Sequence, residues 1–220
     1  MHIVYLYGFA SGPQSNKAEF FKRKFAELDI SFDIYDYIPN KDSFKNMKLS
    51  VLIKNLHLYI GRNYFGEENL ILFSSSFGGL ISTWYTHLHP DKIKKMILMA
   101  PALGFSAQRI VKLLEIHPNT WKEQGYVPVF HYRYNQEIPL AYSFYNDLIA
   151  NPPPEIEKLR INVPTLILHG RLDNIVPLSW SKQFIQINPE SILQILNGDH
   201  QLLDQKDVIW TFVESFLNTN

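Results

Sequence analysis

At 220 residues, with 46% hydrophobic and 19% charged, the chain is long enough for one domain with a substantial core and too apolar to remain disordered. Lys plus Arg and Asp plus Glu are equal at 21 each, which removes the net field that would draw in nucleic acid or an anionic membrane surface. Cysteine is absent, excluding a disulfide framework, a cysteine nucleophile and thiolate metal sites.

Residues 2–7 are predicted to form a buried strand. The stretch Met1 to Gly8 has neither a basic segment nor a long apolar one, and no apolar run reaches membrane-span length, so a cytoplasmic protein is expected. Asn16-Lys17-Ala18-Glu19 opens a helix to about Leu28, with Glu19 three places after Asn16 as in a capping box. A strand is predicted near 32–38, stopped by Pro39. Ser43 to Tyr59 carries apolar residues at helical spacing, with Gly61 as the expected stop. Further strands fall at 70–74, 95–100, 165–169 and 192–196, with a helix before Pro90 and a last one over 204–216. Strands alternating with helices imply an α/β fold: a mostly parallel central sheet with helices on both faces.

Residues 101–160 break that rhythm. The stretch is long for a crossover and rich in aromatics, among them Phe105, Trp121, Phe130 and Tyr145. It is expected to be an inserted helical cap, with one helix near 139–149, lying over the carboxyl ends of strands from a core of residues 1–100 and 161–220. Its aromatics suit either the insertion's own small core or a substrate wall.

One segment carries the chemistry. Ile71-Leu72-Phe73 is a strand that ends in Ser74-Ser75-Ser76-Phe77-Gly78-Gly79, and a helical stretch follows at once. With Ser74 as a small stand-in for the first glycine, this fits the Gly-x-Ser-x-Gly turn that projects a serine hydroxyl between strand and helix. A Ser-Ser-Ser run alone would suit a polar turn equally well, so the other catalytic parts matter. Asp173 follows the strand of Thr165 to His169, and His200 follows the strand of Ile192 to Leu196. Both therefore sit on loops at the same sheet edge as Ser76. A serine hydroxyl is a poor nucleophile until a general base takes its proton, the task assigned to His200. Asp173 would orient the imidazole and stabilise its charged form. The loop Tyr7-Gly8-Phe9-Ala10-Ser11-Gly12-Pro13 reaches the same edge, where the Phe9 and Phe77 backbone N–H groups are candidates for an oxyanion hole.

Competing residues are weaker. His169 ends a strand, where its ring suits packing or a structural hydrogen bond. Asp199 adjoins His200, but neighbouring loop side chains diverge. Arg171 suits loop anchoring better than substrate binding, and His87 and His89 are two apart on a helix, on different faces. No HExxH, Walker or G-x-G-x-x-G pattern is present, so neither a metal nor a nucleotide cofactor is expected.

The order Gly8-Phe9 loop, Ser76 turn, Asp173 loop and Gly198-Asp199-His200 resembles the α/β-hydrolase superfamily over nearly the whole chain. The opening Tyr7-Gly8-Phe9-Ala10-Ser11-Gly12-Pro13-Gln14-Ser15-Asn16-Lys17-Ala18 is similar to the small YqiA-like esterase branch, whose loop reads His-Gly-Phe-x-Ser-x-Pro-x-Ser-x-Lys-Ala. Tyr7 replaces the usual His and Ser74 the usual Gly. The resemblance implies a hydrolase of small carboxylic esters or thioesters, with a small-molecule partner, and leaves the oligomeric state open. A non-catalytic ligand-binding protein on the same fold is the alternative.

Overall fold

A strand with no polar alternation cannot face water on either side, and four such runs make the centre of the sheet. The computed structural model describes residues 1–218. The first half contains β1 (His2–Leu6), α1 (Asn16–Ala26), β2 (Ser31–Ile34), α2 (Lys41–Lys45), α3 (Leu49–Asn63), β3 (Leu70–Ser75), α4 (Phe77–Leu88) and β4 (Lys95–Met99). Then come α5 (Ala107–Leu113), α6 (Pro118–Gln124), β5 (Tyr126–His131), β6 (Gln136–Ala141) and α7 (Tyr142–Ala150). The chain finishes with β7 (Thr165–Gly170), α8 (Leu178–Ile187), β8 (Ser191–Leu196) and α9 (Lys206–Leu217).

Six strands pair in the order β2-β1-β3-β4-β7-β8, and every pairing is parallel. Strands β3, β4 and β7 are buried throughout, whereas the edge strands β2 and β8 are partly exposed. Right-handed crossovers decide where the helices go. The step from β1 to β2 runs opposite to all later steps, so α1 lies on one face, while α3, α4 and α8 lie on the other. Phe25 of α1 meets Trp210 of α9 edge-on at 4.9 Å, placing α9 beside α1. Phe73 and Phe32 project from the sheet into the same aromatic cluster.

Several local expectations need correction. Helix α1 is capped by Ser15, whose hydroxyl accepts the Ala18 N–H at 3.3 Å, and not by Asn16. The helix expected over 43–59 is broken at Asn46 to Lys48, after the short α2 that Asn40 caps. Gly61 lies within α3 and not at its end, because an exposed position with nothing near its missing side chain forces no stop. Strand β2 is shorter than expected because, past the Tyr35 N–H that still donates to the Tyr5 carbonyl, Tyr37 and Ile38 turn away to bond Tyr7 in the loop after β1.

Between β4 and β7 the chain is not purely helical. Strands β5 and β6 form an antiparallel hairpin, with Pro128 opposite Pro139. Pro139 therefore lies in a strand, and the helix begins only at Tyr142. Alternating burial along β5 turns Val127, Val129 and His131 inward and leaves Tyr126 and Phe130 exposed.

Candidate active site

The register Leu6–Ser74, Ser75–Met99 and Gly170–Leu196 brings the carboxyl ends of β1, β3, β4, β7 and β8 to one edge, where open parallel sheets place ligands. Ser76 follows β3 immediately and is the N-cap of α4, with φ 53° and ψ −114°. A non-glycine residue in that region is strained, and the surroundings hold it there. Its N–H donates to the Met99 carbonyl at 2.9 Å, and its carbonyl accepts from Gly79, Leu80 and Ala102. The turn has no room for side chains: a Cβ on Gly78 would lie 2.5 Å from the Tyr7 carbonyl oxygen, and one on Gly79 would lie 2.7 Å from Pro101 Cβ. Ser74 fits as a small, fully buried residue.

The loops after β7 and β8 meet this turn. His200 Nε2 lies 2.9 Å from Ser76 Oγ, and His200 Nδ1 lies 2.7 Å from Asp173 Oδ2. The Asp173 carboxylate is fully buried, and both of its oxygens are engaged. Oδ1 accepts the Ile175 and Val176 N–H groups at 2.9 and 2.8 Å, while Oδ2 faces His200 and, at 3.3 Å, His169 Nε2. Burial alone would raise the Asp173 pKa. The bonds from His169 and His200, the His200 charge and the Val176 N–H outweigh it and hold the carboxyl well below its usual range. His169 Nε2 also faces the Val176 carbonyl at 3.0 Å, which can only accept, so Nε2 carries the proton and Nδ1 accepts from the Ser181 hydroxyl. His169 is thus a buried brace for the aspartate.

The competing residues have other partners. Asp199 caps its own loop through the Gln201 and Leu202 N–H groups, Arg171 bonds Asn197, and His87 bonds the Arg160 carbonyl. His89 stacks on His57 at 4.3 Å. Among the described residues no group of three or more His, Asp or Glu side chains could hold a metal ion, and no helix is long and apolar enough to cross a membrane.

Opposite the histidine stands the loop of Gly8 to Gly12. A Cβ on Gly8 would lie 3.4 Å from Ser76 Cβ, so backbone passes directly beside the serine. The Phe9 and Phe77 rings meet edge-on at 5.7 Å, and among the described residues neither amide N–H has a protein acceptor. Lys17 on α1 donates to Ser75 Oγ at 2.7 Å. Burial pulls its pKa down to about 8, with Asp199 and Asp173 pulling partly back. His169, expected to make a structural hydrogen bond, makes one at an i, i+4 spacing to Asp173, whereas Lys17 stands in the quoted loop motif with no role that the motif alone assigns.

These elements border one cavity of about 930 Å³. Ser76, His200 and Lys17 line it together with Phe105, Leu114 and Trp180.

The parallel sheet, the strained serine turn and the loops at one edge define an α/β-hydrolase fold. Alpha/beta hydrolase domain-containing protein 10 from mouse superposes with a TM-score of 0.74 at 20% identity, covering 99% of this chain and 89% of that one. Est1E from Butyrivibrio proteoclasticus, solved with ferulic acid bound, gives 0.76 at 15% identity, covering 99% and 89%. In sequence the chain is 27% identical to the AB hydrolase superfamily protein YisY of Bacillus subtilis (strain 168), over 90% of this chain and 79% of that protein. Residues 2–217 match the family described as uncharacterised protein family UPF0227, and the chain belongs to that family.

Proposed function

We propose that the protein is a serine hydrolase that cleaves a small carboxylic ester or thioester through an acyl-enzyme. The continuous line from Ser76 Oγ through the His200 ring to Asp173, at 2.9 and 2.7 Å, is the observation that carries this proposal. His200 takes the hydroxyl proton as Ser76 attacks the carbonyl carbon, and Asp173, ionised and buried, keeps Nδ1 protonated and steadies the imidazolium. The carbonyl oxygen becomes an oxyanion facing the Phe9 and Phe77 N–H groups and the N-terminus of α4. His200 then returns the proton to the departing alcohol or thiol. Water, deprotonated by the same ring, attacks the acyl-enzyme and releases the acid.

Residues 101–160 act as the cap. Phe105, Leu113, Leu114 and Val129 from this stretch border the cavity, which favours an uncharged or apolar acyl group. A fluorophosphonate probe tests the proposal against a purely ligand-binding role. One label per chain on Ser76, formed more slowly while a short-chain p-nitrophenyl ester is present in excess, is the expected result. An unlabelled, folded protein that still binds the ester would leave the binding role standing.

A further inference from the structure

An oxyanion donor is useful only if it is held where the charge develops, and misplacement of about 1 Å costs on the order of a hundredfold in rate. The loop that carries Phe9 has no regular structure of its own. What holds it comes from far along the chain, at the turn between β5 and β6. The Tyr132 N–H donates to the Ala10 carbonyl at 2.9 Å, and Ala10, directly after Phe9, adopts a φ of 52°. Arg133 lies against Gly12 so closely that a Cβ there would come within 2.8 Å of Arg133 Cδ. The Arg133 guanidinium donates to Asp36 Oδ2 at 2.8 Å and to the Ile38 carbonyl at 3.1 Å.

The other carboxylate oxygen of Asp36 accepts from the Tyr7 hydroxyl, whose oxygen also accepts the Ile38 N–H at 3.1 Å. The Tyr37 hydroxyl bonds the Tyr7 carbonyl at 2.7 Å, and the two rings stack at 4.4 Å. Burial and the adjacent carboxylate push the Tyr7 phenol well up, so it stays protonated and remains the donor to Asp36. Tyr7 is also the residue that departs from the histidine of similar loops.

We infer that Arg133, acting through Asp36 and Tyr7, is a positioning residue that fixes the base of the Phe9 loop against the hairpin turn, so that the insertion sets the oxyanion geometry. This rests on the serine-hydrolase proposal above. Arg133 also borders the cavity, so direct substrate contact is the competing role. The two differ in kinetics. An interaction made only in the transition state lowers kcat, whereas a lost ground-state contact raises KM.

The test is steady-state hydrolysis of p-nitrophenyl butyrate by wild type, Arg133→Met, Asp36→Asn, Tyr7→Phe and the Arg133→Met/Tyr7→Phe double variant. Each single change should lower kcat about 10- to 100-fold with KM nearly unchanged, and the double variant should be no worse than the poorer single. A boronic acid that forms a tetrahedral adduct on Ser76 should lose affinity in parallel. Tyr7→Phe removes one oxygen, so it keeps the test valid should Arg133→Met fail to fold. Wild-type kcat in Tyr7→Phe and Asp36→Asn, or a change confined to KM in Arg133→Met, overturns the positioning role while leaving the hydrolase intact. No fluorophosphonate label on wild type removes the hydrolase proposal and this one with it.

Discussion

The two walls that flank Ser76 are held by different forces. On the histidine side a fully buried carboxylate has both oxygens engaged by two ring N–H groups and two backbone amides, so charge sets the geometry. On the Phe9 side, backbone close to glycine, aromatic packing and a distant hairpin turn do the holding. A charge network fails when one partner is neutralised. A packed loop fails when space is filled or a tether is cut. The two walls therefore respond to different perturbations, and experiments can separate them.

The largest effect should come from the group both walls serve. Ser76→Ala should lower kcat for a p-nitrophenyl ester by up to about a millionfold, as nucleophile removal does elsewhere. Thermal unfolding should stay close to wild type, because the turn already relies on small residues. Unchanged turnover in a contaminant-free preparation would place the chemistry at another residue. Asp173→Asn probes the charged wall alone and should cost about ten-thousandfold, since an amide presents the wrong partner to Nδ1. It should also flatten the acid limb of stability. The folded carboxyl lies below its unfolded value of about 3.9, so its contribution is complete above that pH and is lost as pH falls toward the folded value. In urea titrations the gap between wild type and variant should hold at pH 5 and begin to narrow only below about pH 4.

Gly78→Ala strikes the packed wall. The new methyl would meet the Leu6 and Tyr7 carbonyl oxygens, which are backbone and cannot swing aside. We expect a stability loss of about 1–3 kcal/mol by denaturant titration, with a drop in kcat as Gly8 and Phe9 are pushed from Ser76. Full stability together with lower activity would mean that the loop yields more readily than its tethers suggest.

How much of this could be read from the chain follows the same division. Leu70 to Ser75 and Thr165 to Gly170 are buried on both faces, so their apolar runs stand out and their ends mark where Ser76 and Asp173 lie. Parallel order then brings those ends to one edge with little further information. The packed wall left weaker traces. Arg133 and Asp36 are 97 residues apart, and nothing near either one encodes the other. Ser15 and Asn16 are both competent caps, and only the fold of the preceding turn selects between them. The alternation of Val127, Val129 and His131 shows in burial and not in residue type, because the outward Tyr126 and Phe130 are apolar too and two prolines fall in the hairpin.

Lys17 offers the finest comparison, because it places a cation on the packed wall within the field of the charged one. Its amine bonds Ser75, is drawn down to about 8 by burial, and feels Asp199 and Asp173 only partly. An unfolded lysine titrates near 10.4, so between about pH 8 and 10.4 the unfolded chain binds more protons than the folded one. Stability should then rise with pH across that window, by at most about 1.4 kcal/mol per pH unit from this group. Buried tyrosines such as Tyr5 and Tyr7, whose phenols are pushed up, act the opposite way above about pH 10. They are present in both proteins when wild type is compared with Lys17→Met, so they cancel in the difference. That difference should favour the variant most at pH 7 and shrink toward pH 10. A constant difference across the range would mean that Asp199 and Asp173 compensate the half-buried ammonium fully, and that the two walls share one electrostatic network.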